Sequence, residues 1–170
     1  DNLAVNPSFE SSLAGWAPSG GAALARVAGG LEDEFCAELT APAKSGWIGL
    51  NDSPNWIAAT QGGDRYRLTA WVRSPDGAGT ARLRVREYVS GSVVAPATVS
   101  DPAAVGVEWT ELALDYSALS ALATLDVWCR GQRRANKWDF NLREHYLAGP
   151  SAERLVERLA PQRSASQFRP

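Results

Sequence analysis

The sequence predicts an all-β chain folded as a two-sheet β-sandwich, with a short C-terminal helix. Three observations carry this. Several short segments alternate apolar side chains with polar or aromatic ones, the two-residue period that turns successive residues to opposite faces of a strand. Gly, Pro, Asn and Asp punctuate those segments at regular spacing, as in sandwiches and barrels. Helical spacing occurs only near the end of the chain, where SAERLVERLA places Ala152, Leu155, Val156 and Leu159 on one face, with Ser151 as N-cap and Pro161 as stop.

In chain order, Leu3 and Val5 read as a short strand, Asn6-Pro7-Ser8 as a turn and Phe9 as a core anchor. Gly15-Trp16 follows a Ser-rich loop. Ala22 to Ala28 reads as a strand, ended by Gly29-Gly30. Phe35 to Thr40 alternates Phe35, Ala37 and Leu39 with Cys36, Glu38 and Thr40. Gly46 to Leu50 sets Ile48 and Leu50 against Trp47, and the loop Asn51–Trp56 leads to a short strand at Ile57–Thr60. The central feature is a hairpin. Tyr66, Leu68, Ala70 and Val72 alternate with Arg67, Thr69, Trp71 and Arg73; after the turn-rich Pro75–Gly79, Leu83 and Val85 alternate with Arg82, Arg84, Arg86 and Tyr88. Val93–Val94 reads as a further short strand. Val107 to Tyr116 alternates Thr110, Leu112 and Leu114 with Trp109, Glu111, Ala113 and Asp115. Thr124 to Arg130 alternates Leu125, Val127 and Cys129 with Asp126, Trp128 and Arg130.

A length of 170 residues suits one domain. The net charge of -2 steers the chain toward neither nucleic acid nor membrane, although residues 130–170 are basic and the rest acidic. No apolar run reaches the roughly 20 residues that span a bilayer. The sequence opens at Asp1 without a signal peptide and holds no Met, so it reads as a mature product or an excised domain. Cys36 and Cys129 allow one disulfide without requiring it, and a core thiol is the plainer reading of Cys129. Seven Trp are many for this length, and both binding surfaces and cores use them.

The run NLAVNPSFESSLAGW, followed by YRLTAWVRS, RLRVREY, EWTELALDY and TLDVW, resembles the carbohydrate-binding modules of the family 4/9/22 kind. These are galactose-binding-like β-sandwiches of jelly-roll topology, usually attached to secreted polysaccharide-degrading enzymes. The resemblance covers residues 2 to about 129. Beyond it, Lys137–Leu142 takes the place of the closing strand. The expected organisation is a module over residues 1–147, then the helix and tail over 148–170. The resemblance implies a secreted, extracellular chain tethered to a larger protein. It also implies a structural Ca²⁺ between the N-terminal segment and the last strand, for which the matching residues are Glu10 and Asp139.

If the strand parities hold, Trp71, Arg82, Arg84, Arg86, Tyr88, Glu111, Asp126 and Trp128 share a face. Aromatic rings offer flat surfaces to sugar C–H groups, and arginines and acids offer forked hydrogen bonds to hydroxyls or carboxylates. The resemblance points to the same place, a concave sheet that binds a polysaccharide or oligosaccharide. The excess of arginine leans toward an acidic glycan. The competing reading pairs these arginines with Glu38, Glu111 and Asp126 on a solvated face. Trp56 either lips the groove or folds inward.

For catalysis the sequence offers little. His145 is the single histidine, and there is no Ser/His/Asp set, no Cys/His metal spacing and no phosphate-cradling glycine loop. The expected function is a non-catalytic carbohydrate-binding module. Two alternatives stay open: a small jelly-roll polysaccharide lyase using Tyr88, Arg84 and His145, and a structural or adhesion sandwich docking through the Ser151–Ala160 helix.

Overall fold

The computed structural model describes residues 3–31, 34–41, 46–75 and 79–132, and the backbone of 137–141. Every regular element in that span is a strand. In order they are β1 (Gly15–Ser19), β2 (Ala23–Ala28), β3 (Phe35–Thr40), β4 (Trp47–Ser53), β5 (Arg65–Arg73), β6 (Gly79–Val89), β7 (Ser92–Val93), β8 (Thr98–Val99), β9 (Ala103–Val105), β10 (Thr110–Ser117), β11 (Thr124–Gln132) and β12 (Lys137–Asn141). One sheet has five strands in the order β10-β5-β12-β3-β2. The other has seven, β1-β4-β11-β6-β7, with β8 and β9 also pairing with β6.

Alternation is what builds the layers. On β10, Leu112, Leu114 and Tyr116 are buried, while Glu111, Ala113 and Asp115 between them are exposed. Tyr66, Leu68, Ala70 and Val72 of β5 turn inward in the same way, as do Ala81, Leu83 and Val85 of β6 and Leu125, Val127 and Cys129 of β11. These side chains form one core between the sheets. Burying a leucine such as Leu50, Leu68 or Leu125 contributes about 2 kcal/mol, so contact between the sheets holds the sandwich closed.

The N-terminal signature closes one end of that core. Phe9 is fully buried, its ring centroid 5.5 Å from that of Trp16. Trp16 donates Nε1–H to the Val5 carbonyl at 2.9 Å. Trp56 stands edge-on to Trp16 at 4.3 Å and donates Nε1–H to the Gly15 carbonyl at 3.1 Å. Leu3 and Val5 form no strand, and Ile57 makes only an isolated bridge to Leu125.

The predicted central hairpin is corrected. β5 pairs with β10 and β12 in the five-stranded sheet, whereas β6 pairs with β11 in the other. The linker between them crosses from one layer to the next. Alternation shows that each strand has an apolar face. It is identical for two strands lying side by side and for two strands facing each other across a core. The outer edge of β6 is covered by β7, β8 and β9 as one interrupted antiparallel run. Ser90 (φ 49°) and Gly91 (φ 78°) make its tight turn with positive φ at both central positions, the two-residue geometry that suits hairpin twist. Pro96 and Pro102, which lack an N–H, fall between the pieces, and edges tolerate them.

Cys36 and Cys129 are not joined; both are buried, one on β3 and the other on β11 in the opposite sheet. The predicted helix at Ser151–Ala160 and His145 lie outside the described residues.

Candidate functional site

The outer face of the seven-stranded sheet holds a close-set array of polar and aromatic side chains. Because Leu83 and Val85 turn inward, Arg82, Arg84, Arg86 and Tyr88 of β6 turn outward. On β11 the same parity brings out Asp126, Trp128 and Arg130, and on β4 it brings out Trp47 and Asn51. Register sets them in rows. Arg86 lies opposite Asp126, Arg84 opposite Trp128 and Arg82 opposite Arg130, with Asn51 next to Trp128 on the far side.

Arginines and indoles interleave across these rows. The Arg84 guanidinium lies 4.0 Å from the Trp128 ring centroid, and that of Arg82 lies 4.1 Å from Trp47. Arg130 lies between the two rings, 5.2 Å from Trp47 and 5.5 Å from Trp128. Gly49 makes room for it: a Cβ there would come within 2.9 Å of the Cys129 carbonyl and 3.4 Å of Arg130 Cγ.

Asp126 is the one acid among the described strand residues of this face, and its carboxylate is already engaged. One oxygen accepts from Arg84 Nη2 at 2.6 Å and the other from Trp128 Nε1 at 2.9 Å. Burial raises its pKa, and Arg84, Arg86 and Asn51 only partly offset that. Arg130 is pushed the other way: burial first, then the charges of Arg84, Arg82 and Arg86, lower its pKa. Arg82, Arg84 and Arg130 each keep a buried Nε–H without an acceptor. Arg86 donates to the Tyr88 hydroxyl at 3.5 Å, a long contact. This surface has hydrogen-bond donors and positive charge in excess, flanked by flat rings.

No family model and no curated protein matches the sequence. Solved structures do match. The CBM22-1 xylan-binding domain of Paenibacillus barcinonensis Xyn10C superposes at a TM-score of 0.64, over 82% of this chain and 90% of that one, at 14% identity. The chain has the fold of a carbohydrate-binding module of the galactose-binding-like type. A second such module, TmCBM61 in complex with β-1,4-galactotriose, superposes at 0.61 over 87% of this chain and 98% of its own, at 16% identity. A third match is the CBM22-1–GH10 portion of Clostridium thermocellum Xyn10B complexed with xylohexaose. It gives 0.66 and 20% identity over 82% of this chain and 27% of that longer one.

Of the predicted ligand residues, this module fold brings Arg84, Arg86, Tyr88, Asp126 and Trp128 onto one face. It separates two others. Trp71 and Glu111 are register partners on β5 and β10, pointing away from the core on the opposite side of the sandwich. The physical reason is the layer crossing between β5 and β6. Trp56 is also displaced, because its ring packs on Trp16 and the core. Trp47, Asn51 and Arg130 belong to the face and were not expected in the ligand set. Parity already put Trp47 opposite Ile48 and Leu50, and Arg130 beside Trp128; the missing information was that β4 pairs with β11.

The Glu10–Asp139 pair fares differently. Glu10 Oε1 accepts from the Phe35 backbone N–H at 2.9 Å, and its carbonyl accepts from the Arg26 guanidinium. A cation on that carbonyl is a poor neighbour for Ca²⁺. Among the described residues no group of three His, Cys, Asp or Glu side chains assembles that could hold a metal. The backbone of Asp139 sits on β12, opposite Glu38 and Arg73.

Proposed function

We propose that the chain is a non-catalytic module that holds a polysaccharide or oligosaccharide against the outer face of its seven-stranded sheet. The observation that carries this is the interleaved row of Trp47, Arg82, Arg130, Trp128 and Arg84, with Tyr88 at its end. Guanidinium forks bond pairs of sugar oxygens with fixed geometry, and ring surfaces between them exclude water. Asp126 serves as the group that orients Arg84 and Trp128. Trp71, Glu111 and Trp56 take no part.

Fold relatives support the reading, since one is a xylan-binding domain and two were solved with bound oligosaccharide. The Clostridium relative joins such a module to a GH10 module, and we extend that arrangement here: an extracellular chain tethered to a larger secreted enzyme. No helix among the described residues is long and apolar enough to cross a membrane. Ca²⁺ at Glu10 and Asp139 is a separate proposal, carried by the resemblance alone and opposed by Arg26.

The test is affinity electrophoresis of the chain in gels containing xylan, β-glucan, galactan, alginate or pectin, each with Ca²⁺ and with EDTA. Retardation by at least one polymer is the expected result; unchanged mobility in all of them overturns the binding role. A retardation that EDTA abolishes supports the metal, and one that EDTA leaves intact dismisses it from binding.

A further inference from the structure

Resting on the glycan-binding reading, we infer that the polymer recognised is anionic, its carboxylate or sulfate groups held by Arg82, Arg86 and Arg130. The first argument is register. Arg82 and Arg130 lie directly opposite each other on neighbouring strands, a like-charge pairing that opposes sheet stability. A merely solvated face avoids this. The other sheet shows how: Arg67 faces Asp115 and pairs with it at 3.2 Å, both side chains well exposed.

The second argument is acceptor supply. The seven-stranded face carries four arginines against one acid on its described strands, in a chain whose overall charge is -2. That acid is spent on Arg84 and Trp128. Among the described residues no carboxylate forms an ion pair with Arg82, Arg86 or Arg130. Burial is the main cause of the lowered pKa of Arg130, and the charges of Arg84, Arg82 and Arg86 add to it in the direction that repulsion requires.

The third argument is geometric. Guanidinium groups lie over the rings of Trp47 and Trp128, leaving less open ring surface for a neutral sugar to stack upon. Alternate residues of one strand stand about 7 Å apart, so Arg82, Arg84 and Arg86 present a ladder of positive charge that a polymer with repeated acidic groups can follow. An anion there supplies charge-assisted bonds and relieves the Arg82–Arg130 repulsion together.

The experiment compares retardation of the full chain in polygalacturonate, alginate and dextran sulfate with that in carboxyl-reduced polygalacturonate and plain dextran. Polyacrylate and a single-stranded oligonucleotide serve as non-sugar polyanions. The expected result is retention by a charged polysaccharide, lost when the charge is removed; which polymer retains it separates carboxylate from sulfate. Arg86→Gln and Arg130→Gln should each weaken retention about tenfold, the effect of one charge-assisted bond, with Arg67→Gln as an unaffected control. Should either variant unfold, added salt must weaken retention of the wild type, because exposed charges are screened. Equal retention by a polymer and its neutral counterpart overturns the charge inference and leaves the binding module standing. So does retention by a neutral polymer alone. Retention by polyacrylate or the oligonucleotide equal to that by the charged polysaccharides shows polyanion binding without sugar recognition and overturns the reading that the polymer is a glycan. No retention by any sugar polymer, charged or neutral, overturns the module reading itself.

Discussion

Asp52 and Glu87 both turn a carboxyl toward the core side of the seven-stranded sheet, and they respond to pH in opposite directions. Asp52 is pushed up to about 7, above the ordinary 3.8. Burial is the main cause, nearby Asp126 adds to it, and hydrogen bonds from the Val127 and Trp56 amides resist it. A raised folded value means the folded chain binds this proton more tightly than the unfolded chain does. The contribution of Asp52 to stability is therefore full below its ordinary value of 3.8 and is lost as pH rises through about 7. For Glu87, burial also opposes the charge, but hydrogen bonds from Leu119 N, Tyr116 Oη and Ser120 N outweigh it and hold the carboxyl below its usual range. Its contribution is present above that range and is lost on acidification. Between pH 3.8 and about 7 the melting temperature should thus decline in the wild type, and Asp52→Asn should flatten the decline. Circular dichroism melts at several pH values check this, and an equal slope in both proteins contradicts it. Neither acid was legible as buried. Glu87 falls in phase with Leu83 and Val85, yet the partners that make such a position tolerable lie about thirty residues away.

At the scale of elements, Glu87 is also a tie between the layers. It stands on β6, while the Tyr116 hydroxyl that it accepts at 2.5 Å belongs to β10 in the other sheet. Two further donors, Leu119 N at 2.9 Å and Ser120 N at 2.7 Å, come from the connection that follows β10. Glu87→Ala leaves one buried and two part-buried donors without an acceptor, which should cost about 3 kcal/mol and lower the melting temperature by about 10 °C. A loss of under about 1 kcal/mol would show that water replaces the carboxylate. Strand content was the most legible level. β3, β5, β10 and β11 follow from alternation, because one face of each packs on the core. Sheet partners were not legible, because period-two patterning is the same on either side of a sandwich. For that reason Trp71 and Glu111 were grouped with Arg84 and Trp128 although they lie across the core from them. Of the interrupted run β7 to β9, the strand read at Val93–Val94 anticipated β7, but β8 and β9 escaped notice because they are two and three residues long and Pro96 and Pro102 break the run.

For the whole molecule, the sandwich presents two outer faces of unlike character. On the five-stranded side Arg67 and Asp115 neutralise each other in solvent, and Trp71 is paired in register with Glu111. On the seven-stranded side, among the described strand residues, four arginines and two indoles interleave around a single carboxylate. The central claim is that the second face binds sugar and the first does not. The direct test is affinity electrophoresis of Trp128→Ala and Trp71→Ala in the polymer that retards the wild type best, with melting curves to confirm that both are folded. Trp128→Ala should weaken retention about 30-fold or more, as for a central aromatic anchor, and Trp71→Ala should migrate as the wild type does. Lost retention in folded Trp71→Ala, with Trp128→Ala unchanged, would place the site on the five-stranded sheet and contradict the account.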